Sequence, residues 1–312
     1  MNILQRLARR AVHARLEQLT DGRLTVHFAG DTHVFGSGHA PAASVTVRDP
    51  NFFAALSLGG HLGAAESFVE GEWDTDDLVA LVQVFVRNRE VMDGLETGLA
   101  RLVQPARAAL HALNRNTRRG SRSNIVAHYD LGNDFFSQFL DDTMTYSCGI
   151  FERPESSMRD ASIEKYDRIC RKLDLKPHDH LIEIGTGWGG FAVHAASTYG
   201  CRVTTTTLSD EQFGMASERV EAAGLSGRIT LLKKDYRDLE GSFDKLVSIE
   251  MIEAVGHQYY DRYFEQCARL LKPHGMAAIQ TITIQDRYYE SARREVDFIK
   301  KYIFPGSCIP AV

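Results

Sequence analysis

The stretch Leu181-Ile182-Glu183-Ile184-Gly185-Thr186-Gly187-Trp188-Gly189-Gly190-Phe191 decides the fold of this chain. A short apolar run ends in a turn rich in glycine, and an apolar, helix-competent run from Phe191 to Thr198 follows. Glycines there permit positive φ and let a ligand come close to the backbone. The helix start beyond them offers N–H groups with no intrahelical partner. This spelling predicts a nucleotide-like ligand at the carboxyl end of a parallel strand. The glycine spacing alone does not say which nucleotide, and a tight turn with no ligand can be spelled the same way.

Working outward, the pattern predicts strands at 181–184, 201–207, 229–233, 245–250 and 276–284. Helical segments at 158–173, 189–199, 210–223 and 258–271 alternate with them. Such alternation predicts an α/β fold, doubly wound about a mainly parallel sheet. Leu270-Leu271-Lys272-Pro273-His274-Gly275 reads as a helix stop and a turn into the last strand. Toward the N-terminus, residues 24–28 and 45–47 alternate as strands do, and Ala54 to Val84 reads as helical with breaks at Gly59-Gly60 and Gly71. This part is expected to be a smaller α+β domain. Between the two lies Asn114-Arg115-Asn116-Thr117-Arg118-Arg119-Gly120-Ser121-Arg122, read as a linker. Its arginines would serve equally as an anion-contacting loop. The expected domains are therefore 1–120 and 121–312.

A length of 312 residues suits two domains, and a net charge of −5 gives no reason to expect nucleic acid. The five cysteines lack CxxC spacing, which predicts reduced thiols in a reducing compartment and no metal. No apolar run approaches the ~18 residues of a spanning helix, and the N-terminus lacks a secretory apolar core and cleavage site. In residues 3–19, Ile3, Leu7, Val12, Leu16 and Leu19 fall near helical spacing, with Arg6, Arg9, Arg10 and Arg15 between them. One reading is a helix packed on its own domain. The other is a helix lying on an anionic membrane surface.

The second strand of the C-terminal half ends in Thr204-Thr205-Thr206-Thr207-Leu208-Ser209, and Asp210-Glu211-Gln212 opens the next helix. A dinucleotide fold would end that strand in an acid for the ribose hydroxyls. Hydroxyls and Gln212 stand there instead, which counts against an oxidoreductase. The third strand ends in Lys234-Asp235-Tyr236-Arg237-Asp238, offering a carboxylate and an aromatic ring to an adenine.

Upstream lie HYDLGNDFF (128–136) and YSCGIF (146–151), and downstream SIEMIEAVG (248–256) and FIKKYIFPG (298–306). With EIGTGWGGFA and TLSDEQ, these make the chain resemble the cyclopropane fatty-acyl-phospholipid synthase family of S-adenosylmethionine-dependent methyltransferases. The resemblance covers roughly residues 25–310. It implies a class I, Rossmann-like methyltransferase domain with S-adenosylmethionine as cofactor. It further implies cofactor contacts at Tyr146, Ser147, Gly185, Gly187, Trp188, Gly189, Thr207, Leu208, Ser209, Gln212, Asp235 and Tyr236. In the implied reaction a cis alkene attacks the sulfonium methyl, and the resulting carbocation loses a proton to close a cyclopropane. Such a site must exclude water, gains from aromatic faces that attract positive charge and needs a positioned base. Tyr129, Phe135, Phe136, Tyr146, Phe151 and Trp188 supply the aromatic density, or are simply core.

In the family the base is a bound bicarbonate. Carried over, its holders are Cys148, Glu253 and Ile282, with Gln280 where well-known members have histidine. Glutamine still donates an N–H to an anion, while Glu253 beside bicarbonate implies repulsion unless one of the two carries a proton. Cys148 is expected to act through its backbone, since no cationic neighbour in sequence would lower its pKa. The resemblance also implies a further C-terminal segment beyond Val312, carrying a tyrosine that helps hold the base, so activity of these 312 residues is in question. The function expected is cyclopropane formation on an unsaturated acyl chain of a phospholipid, at the inner face of the cell membrane from the cytoplasm. The rivals are a methyl or methylene branch on the same alkene, or a non-catalytic lipid- or cofactor-binding remnant. A homodimer is compatible with this reading.

Overall fold

In the computed structural model, residues 1–91 and 131–312 are described, together with 116, 117, 120, 121, 124 and 128. Arg115, Arg118, Arg119, Arg122 and Tyr129 lie outside the described residues. Two compact units form: Met1–His111 with Arg294–Tyr302, and Ala112–Arg293 with Ile303–Val312. The return of a late segment to the first unit has no counterpart in the single division expected near residue 120.

In the first unit, α1 (Ile3–Leu16) is followed by β1 (Arg23–Phe28), β2 (Asp31–Phe35), β3 (Ala42–Val47), α2 (Asn51–Val69), β4 (Trp73–Thr75) and α3 (Leu78–Arg87). The sheet order is β2-β1-β3-β4, with β1 and β3 parallel and the outer pairs antiparallel. Alternation places Leu24, Val26 and Phe28 of β1 in the core, where Val45, Val47, Phe53 and Val84 meet them. Helix α1 starts at a capping box, the Asn2 side chain accepting from Gln5 N–H while Gln5 reaches back.

At 19 residues, α2 is long and apolar enough to cross a membrane, contrary to the expectation that no run comes near that length. In sequence, Gly59-Gly60 divides the run into two shorter apolar pieces. The backbone does break there, with Gly60 at φ 56° and ψ −143°. The helix also buries Phe52, Phe53, Leu56 and Leu62, so it behaves as a kinked core element.

The second unit holds α4 (Asn133–Ser137), α5 (Met158–Lys172), β5 (His180–Ile184), α6 (Gly190–Thr198), β6 (Arg202–Thr206), α7 (Asp210–Ala222), β7 (Ile229–Leu232), β8 (Phe243–Ile249), α8 (Tyr260–Leu270), β9 (Leu271–Gln280) and α9 (Asp286–Arg294). The five strands pair in parallel in the order β7-β6-β5-β8-β9. The chain turns from one side of β5 to the other after β7, so the crevice beyond β5 is a topological switch point. Two helix layers cover the sheet. Leu181, Phe191, Ala195 and Val203 pack with α5 and α6 residues on one side, and Ile182, Ile184, Leu246 and Tyr263 form the core that includes α8 residues. The expected turn at 272–275 is a bulge, since Phe243 pairs with Leu271 and Lys245 next with Met276. The ladder then ends at Gln280, short of the expected 284. Asn116, expected in a linker, is buried, and donates from Nδ2 to Gly306 O at 2.8 Å.

Candidate active site

The glycine turn leaves β5 with Gly185, Gly187 and Gly189 at φ 102°, 52° and 87°. At Gly187 an added Cβ would meet no atom within 4 Å, so its backbone faces open space that a ligand can approach. Gly185 and Thr186 both donate to Thr206 O, which fixes the turn against β6. At the end of β6, Thr207 Oγ1 donates to Gln212 Oε1 at 2.8 Å, and Ser209 Oγ accepts from Gln212 N–H at 3.2 Å. These three side chains are buried and shape the start of α7, while Leu208 between them is half-buried. The hydroxyls noted in the sequence therefore build the wall.

Asn133 ties three motifs together. Its Oδ1 accepts from Trp188 Nε1 at 2.6 Å and its Nδ2 donates to Glu211 at 3.1 Å. Trp188 packs with Phe136 and Met144 as a small core, leaving it 2% exposed. Tyr146 lies 5.3 Å from Phe136 by ring centroids and stacks at 5.6 Å on His128, which Phe304 approaches to 3.9 Å. Phe135 and Phe151 stay exposed. The sequence reading missed Phe304, although it follows Ile303 inside the FIKKYIFPG motif. Asp235 and Tyr236 sit at the end of β7. Both Asp235 oxygens hold Arg237, whose guanidinium also donates to Asn116 O and Ser121 Oγ. Asp235 thus has a structural duty that its sequence position did not show.

The residues expected to hold the base come together at the carboxyl edge of β8 and β9. Glu253 Oε1 accepts from Ile282 N–H at 2.6 Å and from Thr281 Oγ1 at 2.8 Å. Glu253 Oε2 is buried without a partner, an acceptor that calls for a donor. Gln280 Nε2 lies 3.4 Å from Cys148 Sγ and donates at 2.9 Å to Glu250 Oε1, which also accepts from Cys148 N–H at 3.0 Å. Glu250 is an addition that the sequence reading did not single out. Its signal was a charge at the end of a buried strand. Lys165, fully buried, donates to Ser147 Oγ at 2.5 Å. Burial brings the Lys165 pKa down to about 8, against the pull of Glu250 and Cys148. Burial, then the Glu250 carboxylate, pushes the Cys148 thiol above its ordinary value. A thiol raised in this way is a poor nucleophile, in keeping with a role for Cys148 through its backbone.

Bicarbonate does not fit these residues. The N–H groups of Cys148, Gln280 and Ile282 already serve carboxylates. A further anion would face Glu250 and Glu253, at about 4 kcal/mol of repulsion per contact pair near a protein surface. S-Adenosylmethionine does fit, through the open backbone at Gly187.

A parallel sheet with a glycine turn at its switch point, followed by a hydroxyl-rich strand end, defines a class I S-adenosylmethionine-dependent methyltransferase. The described structure agrees with a crystal structure of a mycolic acid cyclopropane synthase complexed with SAH and CTAB (TM-score 0.57, 33% identity, 61% of this chain and 70% of that one). The chain belongs to the mycolic acid cyclopropane synthetase family, whose pattern it matches over residues 116–312. The tuberculostearic acid methyltransferase of Mycobacterium tuberculosis is 35% identical, covering 99% of this chain and 72% of its own length. The cyclopropane-fatty-acyl-phospholipid synthase of Escherichia coli is 39% identical, covering 88% and 69%.

Proposed function

We propose that this enzyme adds the methyl carbon of S-adenosylmethionine to the cis double bond of an unsaturated phospholipid acyl chain and closes a cyclopropane ring. The observation that supports this most is the meeting of an aromatic wall with a polar cluster. Tyr146, in contact with Phe136 and His128, continues directly into Ser147 and Cys148, which bind Lys165 and Glu250. S-Adenosylmethionine, when bound, supplies an electrophilic methyl on a sulfonium. The chain's residues do the rest. Aromatic faces exclude water and attract the developing cation, and the polar edge takes up a proton. A methylene-branched product is the second reading, favoured by the 99% coverage of this chain in its match to the tuberculostearic acid methyltransferase. The two outcomes differ in what the cation does before it loses its proton.

The enzyme is further proposed to work at the cytoplasmic face of the membrane. Helix α1 buries Ala8, Val12 and Leu16 but leaves Ile3, Leu4 and Leu7 exposed beside Arg6 and Arg10. Both readings of residues 3–19 thus find support on one helix, its inner face in the core and its outer face suited to anionic lipid.

The test is mass spectrometry of host lipids with and without the expressed chain. A gain of one CH₂ on unsaturated chains, with ring and branch separated by fragmentation, is the expected result. An unchanged lipid profile alongside measured S-adenosylmethionine binding would leave only a cofactor-binding role.

A further inference from the structure

We infer that Glu250 is itself the base of the alkene methylation, its carboxylate replacing any exogenous anion. The inference rests on the proposed function, because only a carbocation on the acyl chain needs a base here. Glu250 follows the last residue of β8, where Ile249 pairs with Gln280 of β9. Its N–H donates to Gln280 O at 2.8 Å, and its backbone sits at φ 49°. A left-handed conformation is unfavourable in a residue with a Cβ and persists only where the surroundings enforce it. What it achieves is a direction. The carboxylate turns to the N–H of Cys148 and the amide of Gln280, which hold Oε1 at 3.0 and 2.9 Å. Among the described residues Oε2 has no hydrogen bond, so one oxygen is anchored and the other is available. The next residue, Met251, lies 3.4 Å from where a Cβ on Gly185 would be, so Glu250 adjoins the cofactor turn. On the other side the Cys148 N–H joins it to the irregular segment that carries Tyr146.

The step balances without another reactant. The alkene electron pair forms a C–C bond to the methyl as the sulfonium C–S bond breaks, leaving S-adenosylhomocysteine and a carbocation. A C–H bond of the transferred methyl then breaks, its electron pair closing the ring, and the proton passes to Glu250 Oε2. If a 1,2-hydride shift comes first, the same proton loss gives an exocyclic methylene. Glu250 afterwards returns the proton to water.

The experiment compares the wild-type chain with Glu250→Gln and Glu250→Gly. Glu250→Gln keeps the shape and an acceptor for Cys148 N–H. It should bind S-adenosylmethionine within about threefold of wild type by calorimetry, while lipid product falls by the 10²–10⁴-fold typical of a lost base. With trideuteromethyl cofactor its residual rate should show a larger isotope effect than wild type, because proton loss has become limiting. Glu250→Gly relieves the backbone and frees both donors, so added bicarbonate should raise its melting temperature and restore part of its turnover. Wild type should show neither response. A Glu250→Gln variant with wild-type turnover, or a wild-type chain that needs bicarbonate, overturns the inference. If wild type makes no lipid product at all, the proposed function fails. The melting-temperature arm then still decides whether Glu250 fills the anion position: stabilisation of Glu250→Gly alone supports it, and equal stabilisation of wild type overturns it.

Discussion

Asp235 grips Arg237 through both carboxylate oxygens, Nε to Oδ1 at 2.8 Å and Nη2 to Oδ2 at 2.6 Å, with the two side chains 11% and 4% exposed. Through this pair the end of β7 holds Asn116 and Ser121, some 120 residues earlier in the chain. Truncating one partner of a buried pair leaves an uncompensated charge. Asp235→Ala should therefore lose roughly 3–5 kcal/mol in urea unfolding. A variant with unchanged midpoint would show the pair to be dispensable.

Gly187 and Gly189 should respond differently to a methyl group. At Gly187 an added Cβ meets nothing, whereas at Gly189 it lies 3.1 Å from Ala216 Cβ. Gly187→Ala should fold with only the left-handed strain, about 1–2 kcal/mol, yet lose most S-adenosylmethionine affinity. Gly189→Ala should lose more stability than that. Calorimetry with S-adenosylmethionine and thermal melts separate the two, and full affinity in Gly187→Ala would contradict the placement of the cofactor.

Glu183 is buried in β5 with Thr205 Oγ1 donating to its Oε2 at 2.6 Å. Burial raises its pKa from 4.5 to about 8. The native state therefore keeps a proton that the unfolded chain releases, and the stability this group contributes falls as pH rises from about 4.5 to about 8. Glu183→Gln should flatten that fall, whose limiting slope is about 1.4 kcal/mol per pH unit. Urea unfolding across this range measures it; parallel slopes for variant and wild type would refute it.

Vesicle binding should depend on charge at α1. Arg6 and Arg10 are exposed, and each basic residue near an anionic surface contributes about 1 kcal/mol. Replacing both by Glu should weaken sedimentation with anionic vesicles, and rising salt should do the same to wild type. Arg9 should matter less, because Asp31 already holds it at 3.1 Å. Equal binding to neutral and anionic vesicles at low salt would remove α1 from the membrane proposal.

The sheet of the second unit was readable because its strands are short apolar runs between amphipathic helices, a signal local to each segment. Ser157 and Ser209 mark two helix starts in the same local way, their side chains accepting the N–H groups of Asp160 and Gln212. The site was legible only where a residue acts alone. Cys148, Gln280 and Glu253 could be placed by motif, but Glu250 gains meaning only from its partners. Those partners stand 102 and 30 residues away, and the β8–β9 register alone sets Glu250 beside Gln280. Read singly, Gln280 was a departure from histidine; beside Glu250 it is a donor matched to a carboxylate. Asp235 shows the opposite case: its place at a strand end suggested a ligand, and nothing in that place disclosed that it also holds its neighbour Arg237. Lys165 gave no signal at all: on an amphipathic helix a lysine reads as solvated, and only packing shows it buried.

Glu66 of α2 accepts from Tyr302 at 2.7 Å and pairs with Lys301, so the first unit is completed by residues near the far end of the chain. This has a consequence during synthesis. A ribosome adding about 5–20 residues per second leaves the N-terminal unit waiting on the order of ten seconds or more for its last piece. Throughout that interval the whole cofactor-binding sheet emerges and is free to fold. The order of translation and the order of completion therefore part company: the unit begun first is closed only after every strand of the other unit's sheet has been made.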